Sequence, residues 1–247
     1  MRIDRLPAGK LLLGLALAVL LGGTTASAAT NYTSGHADIG VAYEGPNDLW
    51  PHFHFGGNAQ PPSLANDEVE PAEIVVIVPD NAVPRPAGAQ WDFLGTPAGQ
   101  PLWFLSQSSV PGEPFLGIAT EELDSADWVG NIDVALKSVA SSPAGSNFSL
   151  WFTDIGGPNV QWATDDGVPD TFSMPTGTHA HYNFGFTKPG VYQLEIEFSG
   201  THVTDGFQAA SDIFTFNVVP EPSTWVMAAM ALSGLACVSL RRRFAKR

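Results

Sequence analysis

The 247 residues carry 11 Lys and Arg against 25 Asp and Glu, a formal net charge of −14. The basic residues crowd the two ends: between residues 29 and 219 only Arg85, Lys137 and Lys188 stand against 23 acidic side chains, a net charge of −20. Such a body repels phosphate backbones, which are bound through clusters of Lys and Arg, so nucleic-acid binding is excluded while cation binding stays open.

Residues 1–28 begin with Arg2, Arg5 and Lys10, continue in an apolar run from Leu11 to Leu21, and end in Ala26-Ser27-Ala28. A cationic start, a short apolar core and a small-x-small triplet form the pattern of a secretory signal removed by signal peptidase. The core is too short to read as a membrane span. The mature chain is expected to start near Ala29.

The body, residues 29–219, reads as strands throughout. Short runs rich in Val, Ile, Phe, Trp and Tyr recur between Gly and Pro turn signals, and no long segment has a helical apolar stripe. Predicted strands are Ala37 to Glu44, Leu49 to Phe55, Glu73 to Val78, Leu102 to Ser106, Ile132 to Val139, Phe148 to Thr153, Val160 to Ala163, His179 to Thr187, Val191 to Phe198 and Ile213 to Val218. Gly56 to Val69 and Asn81 to Ala89 read as loops, Glu121 to Val129 as a short helical segment, and Asp165-Asp166-Gly167 as a turn, since its spacing to Asp170 departs from a calcium loop. The expected fold is an all-β, two-sheet antiparallel β-sandwich in one domain.

All six histidines lie in this body, and four form two His-x-His pairs. In a strand, residues i and i+2 project from one face, so each pair presents two imidazoles to a common point. His52 and His54 alternate with Phe53 and Phe55, and His179 and His181 with Tyr182, Phe184 and Phe186. A three-residue loop at Lys188-Pro189-Gly190 is expected to join the last two-faced strand to Val191–Phe198 as a hairpin. That register sets His181 opposite Glu197 and Asn183 opposite Glu195. The candidate metal ligands are therefore His179, His181, Glu197, His36, His52 and His54, a set suited to zinc or manganese. The alternation is equally what a solvated sheet face produces.

The chain ends in Val219-Pro220-Glu221-Pro222-Ser223, an apolar stretch from Trp225 to Leu240, and a cluster of five basic residues, Arg241, Arg242, Arg243, Lys246 and Arg247. The apolar stretch is expected to be a transmembrane helix over 225–240 whose basic tail stays cytoplasmic. Prolines, helix and basic tail in this order resemble the PEP-CTERM sorting signal over residues 220–247. That resemblance implies recognition by an exosortase, with Pro220, Glu221 and Pro222 as the signal. The helix would anchor the protein transiently in the inner membrane before delivery to the cell surface or extracellular matrix of a Gram-negative bacterium. The single cysteine, Cys237, lies in this stretch, so the body has neither a disulfide nor a thiolate site.

The segments Ser34 to Glu44, Leu49 to Phe55 and Thr178 to Gly200 also resemble the choice-of-anchor M domain. The last is similar to the actinobacterial surface-anchored repeat, with Phe184 where the repeat has Trp. The resemblance implies a cell-surface domain held by differing anchors in different lineages and in some cases encoded beside metal-type transport systems, in keeping with a metal ligand set.

No Gly-x-Ser-x-Gly elbow, His-Glu-x-x-His, phosphate loop or dinucleotide fingerprint occurs, and a catalytic role is not expected. The leading expectation is an exported, surface-sorted β-sandwich that binds a divalent metal. The alternatives are a purely structural or carbohydrate-adhesive surface protein meeting extracellular polysaccharide or envelope components through its tryptophans, and a secreted metal-dependent hydrolase.

Overall fold

Alternation of apolar and polar residues fixes which face of a strand is buried, and over residues 28–220, those described by the computed structural model, it is realised in sixteen strands. In chain order these are β1 (Thr30–Tyr32), β2 (Gly35–Gly45), β3 (Asp48–Phe55), β4 (Glu68–Val69), β5 (Ile74–Val78), β6 (Val83–Pro84), β7 (Pro101–Leu105) and β8 (Pro114–Ala119). They continue as β9 (Ile132–Ser141), β10 (Phe148–Asp154), β11 (Gly157–Ala163), β12 (Asp170–Met174), β13 (His179–His181), β14 (Asn183–Phe186), β15 (Gly190–His202) and β16 (Gly206–Val218). The signal segment and the 225–240 stretch lie outside the described residues. Among the described residues no helix is long and apolar enough to cross a membrane.

The fold is all-β, but the strands form three sheets rather than the expected two. A six-stranded sheet has the order β1-β5-β16-β15-β9-β12, and two five-stranded sheets have the orders β11-β10-β14-β7-β6 and β13-β8-β2-β3-β4. Most pairs are antiparallel, but β1–β5, β16–β5 and β2–β8 are parallel. Periodicity reports the buried face of a strand and not its neighbour, which is why the third sheet and the parallel pairs were invisible to it.

One apolar core joins all three sheets. Phe53 of β3 meets Phe214 of β16 edge-on at 5.1 Å, while Phe148, Phe184 and Phe186 surround Phe216 at 5.5–6.5 Å between ring centres. The six-stranded sheet is thus the layer against which both smaller sheets pack. Burying aromatic rings in these arrangements contributes both apolar area and favourable edge-to-face geometry.

The expected strand His179–Thr187 is cut at Tyr182, and this overturns the hairpin. β13 joins the edge of the β8 sheet, β14 pairs with β10 and β7, and β15 pairs with β16 and β9. The apolar faces of β14 and β15 meet across the interior instead of lying side by side, with Phe186 and Tyr192 at 4.9 Å. Stacked sheets satisfy the same alternation as a hairpin does. Glu197 consequently lies opposite Ser211 and Ala135, where its Oε1 accepts from Lys137 Nζ at 3.1 Å. The structure places it away from every histidine of the candidate set. The segment Glu121–Val129 forms turns rather than a helix.

Candidate metal centre

The sheet β13-β8-β2-β3-β4 turns its apolar side, including Ala37, Ile39, Phe53, Phe55, Leu116 and Ile118, to the core. Its other side carries the histidines. One cross-strand row runs His181, Gly117, Asp38, His54, Glu68, each residue opposite the next on adjacent strands. Neighbouring positions on the same face add His36 and Gly40 from β2, His52 from β3, Phe115 from β8 and His179 from β13.

Glycine in the row decides how closely the side chains gather. Strands two apart in a sheet are separated by about 9.5 Å, yet the His36 and His181 rings approach to 5.1 Å between centres. They lean together over β8, where Gly117 has no side chain: an added Cβ would collide with Asp38 Oδ1 and come within 3.2 Å of His181 Cε1. Phe115 supports the arrangement by stacking on the His181 ring at 3.6 Å, 9° from parallel.

Two clusters result. In the first, donor atoms of His36, His179 and His181 all lie within 4.8 Å of one another. A tetrahedral zinc site spaces its nitrogens by about 3.3 Å, a separation that falls inside this limit. In the second, donor atoms of His52, His54, Glu68 and Glu122 satisfy the same 4.8 Å limit. The five histidines of the expected ligand set therefore divide between the clusters. The sixth, His202, sits apart between Tyr43 and Trp128 and hydrogen-bonds Thr204 and Asp205.

The carboxylates were the part missed from sequence. Asp38 had a legible signal, since His36-x-Asp38 continues the alternation; Glu68, Glu121 and Glu122 had none, lying in segments read as loop or helix. Glu121 and Glu122 sit on a fixed turn after β8. Thr120 anchors it by donating its amide to Thr178 O at 2.8 Å and its hydroxyl to Pro175 O at 2.6 Å, and Leu123 is buried beneath it. From this turn Glu121 Oε1 accepts from His179 Nδ1 at 2.5 Å, while Glu122 Oε1 lies 3.0 Å from His52 Nε2 and 3.2 Å from His54 Nδ1.

The electrostatics separate the imidazoles. Burial pushes His181 down to about 4, which favours the neutral ring with one nitrogen lone pair available, and the nearby His36 and His179 act in the same direction. His179 is raised, chiefly by its hydrogen bond to Glu121. Burial alone would lower His52, but Glu122 and the Trp50 carbonyl outweigh it and leave it raised. Glu122 is lowered, mainly by its hydrogen bond with His52. Asp38 is only 2 % exposed, and burial raises it against the pull of His36 and His179.

Among the described residues the tryptophans offer little open stacking surface. Trp128, Trp151 and Trp162 are buried, Trp50 stacks on His52 at 4.3 Å, and the Trp103 indole donates to Asp80.

Comparison with known proteins locates the chain's sorting class. Residues 218–243 match the PEP-CTERM protein-sorting motif, the signal recognised by exosortase, and mark an exported, membrane-transiting protein of Gram-negative bacteria. The match begins at Val218, the last residue of β16, and so covers the tail rather than the body. No curated protein and no solved structure matches the chain.

Proposed function

We propose that this exosortase-sorted protein binds a divalent cation, zinc or manganese, at His36, His179 and His181, and serves at the cell surface or in the extracellular matrix as a metal-binding envelope component. One observation carries the reading: three imidazoles from two strands that are not neighbours converge over a glycine, and one of them is held neutral by burial. Three imidazole nitrogens suit a borderline cation. The Glu121 carboxylate on His179 supplies the outer hydrogen bond that orients a metal-ligating imidazole. We read the three histidine-bearing segments as resembling the choice-of-anchor M domain, a reading that fits the same placement at the cell surface.

Equilibrium dialysis of the chelator-stripped chain against zinc and manganese tests the reading. Stoichiometric binding that His181→Ala removes is the expected result. Absence of bound metal in the wild type would leave the histidines as polar residues of a structural surface protein.

A further inference from the structure

We propose that the same sheet face holds a second divalent cation, in His52, His54, Glu68 and Glu122, and that Asp38 is a ligand shared between the two cations. This rests on the reading of the three-histidine cluster as a cation site and extends it to a paired centre.

The second cluster is built from three separate places: His52 and His54 on β3, Glu68 on β4 and Glu122 on the turn after β8. Its buried imidazole is already oriented. With the proton assigned to Nδ1, His52 donates to the Trp50 carbonyl at 3.0 Å, which leaves Nε2 directed at Glu122. The Trp50 ring stacks on the imidazole, and its own indole N–H donates to Glu70 Oε1 at 2.9 Å. An imidazole tied through one nitrogen to a carbonyl, with the other facing carboxylates, is how proteins present histidine to a metal.

Asp38 supplies the independent observation. Its side chain is almost fully buried, its Oδ2 lies 3.4 Å from His36 Nε2, and its Oδ1 has no hydrogen-bond partner among the described residues. A buried carboxylate with an orphaned oxygen is costly unless a cation or donor meets it. The cross-strand row sets His54 on one side of Asp38, and Gly117 followed by His181 on the other. Asp38 stands outside both 4.8 Å donor groups but between them in the row, so a cation in each cluster would draw one of its two oxygens. The consecutive Glu121 and Glu122 reach one cluster each, so a single turn closes over both.

Ligand chemistry distinguishes the two positions. Three imidazoles favour zinc, while two imidazoles with two carboxylates form a harder set that takes manganese more readily.

The test is metal stoichiometry and affinity for the full chain purified in detergent, stripped with chelator, and titrated with zinc or manganese alone. His179→Ala and His54→Ala change side chains that are 41 % and 43 % exposed, so both variants are expected to fold, which circular dichroism checks. The wild type should bind two zinc ions, each single variant one, and the double variant none. His54→Ala should lose the tighter manganese position, and Asp38→Asn should weaken both positions by about tenfold or more, the usual scale for lost supporting carboxylates. A wild type that binds one ion, unaffected by His54→Ala, overturns the second cation and leaves the first site standing. One ion lost from both single variants overturns the pair in favour of a single mixed site. Weakening of only one position by Asp38→Asn overturns the shared ligand. A wild type that binds no ion refutes the three-histidine site and the pair together.

Discussion

Gly117 stands directly between Asp38 and His181 in the cross-strand row, and its missing Cβ is the space into which both side chains lean. The backbone offers no relief, because the same added Cβ would lie 3.1 Å from the Ala180 carbonyl oxygen. Gly117→Ala is therefore expected to destabilise the protein by about 1–3 kcal/mol through overpacking and to weaken metal binding as well. Gly40→Ala is the control on the same face: its Cβ would sit 3.4 Å from His52 Nε2, and the expected change is below about 1 kcal/mol. Urea denaturation of both variants with chelator present checks the pair.

Stability and chemistry lie on opposite faces of β3. Phe53 is fully buried against Phe55 and Phe214, whereas His54 projects from the other side. Phe53→Ala should cost about 3–5 kcal/mol, a large share of the stability of an ordinary domain. In chelator His54→Ala should change stability by less than about 1 kcal/mol. In the presence of metal the His54→Ala variant should gain less in melting temperature than the wild type. Saturation of one site at a hundredfold its dissociation constant contributes about 2.7 kcal/mol.

Glu195 gives a pH dependence unrelated to metal. Ser138 Oγ donates to its carboxylate at 2.7 Å and Ser211 Oγ at 2.9 Å, and these bonds hold its pKa below the usual glutamate value. A carboxyl lowered on folding binds fewer protons in the folded state, so its contribution is complete above about 4.5 and is lost as pH falls through the lowered value. The stability difference between wild type and Glu195→Gln should shrink on acidification over that range and be the same with and without chelator. A difference that depends on metal would make Glu195 a ligand and contradict this assignment.

Sorting and folding should separate in the tail. Replacing Pro220-Glu221-Pro222 by alanines removes residues of the matched motif, while β16 ends at Val218. Export across the inner membrane is expected to continue and surface delivery to fail. Fractionation of cells expressing the variant reads both, and normal arrival at the surface would contradict exosortase sorting.

Sequence carried the faces of the strands and hid their partners. His52, His54, Phe53 and Phe55 could be sorted to two sides by parity, and the structure keeps that sorting. The three histidines of the first cluster were in view, but the sheet that unites them depends on the parallel pairing of β2 with β8, which no local pattern encodes. Glu197 entered the ligand set because one hairpin register accounted for the alternation of two strands, and stacking across the core accounts for it equally well. Glu121 and Glu122 were hidden because a turn places side chains by its own hydrogen bonds, here those of Thr120, rather than by a repeat.

The most direct measurement is anomalous diffraction at the zinc edge from crystals of the zinc-loaded protein. A peak bonded to nitrogens of His36, His179 and His181 is the predicted result. Loaded crystals that show zinc only on exposed carboxylates elsewhere, or none at all on this face of the sheet, would contradict the metal-binding account.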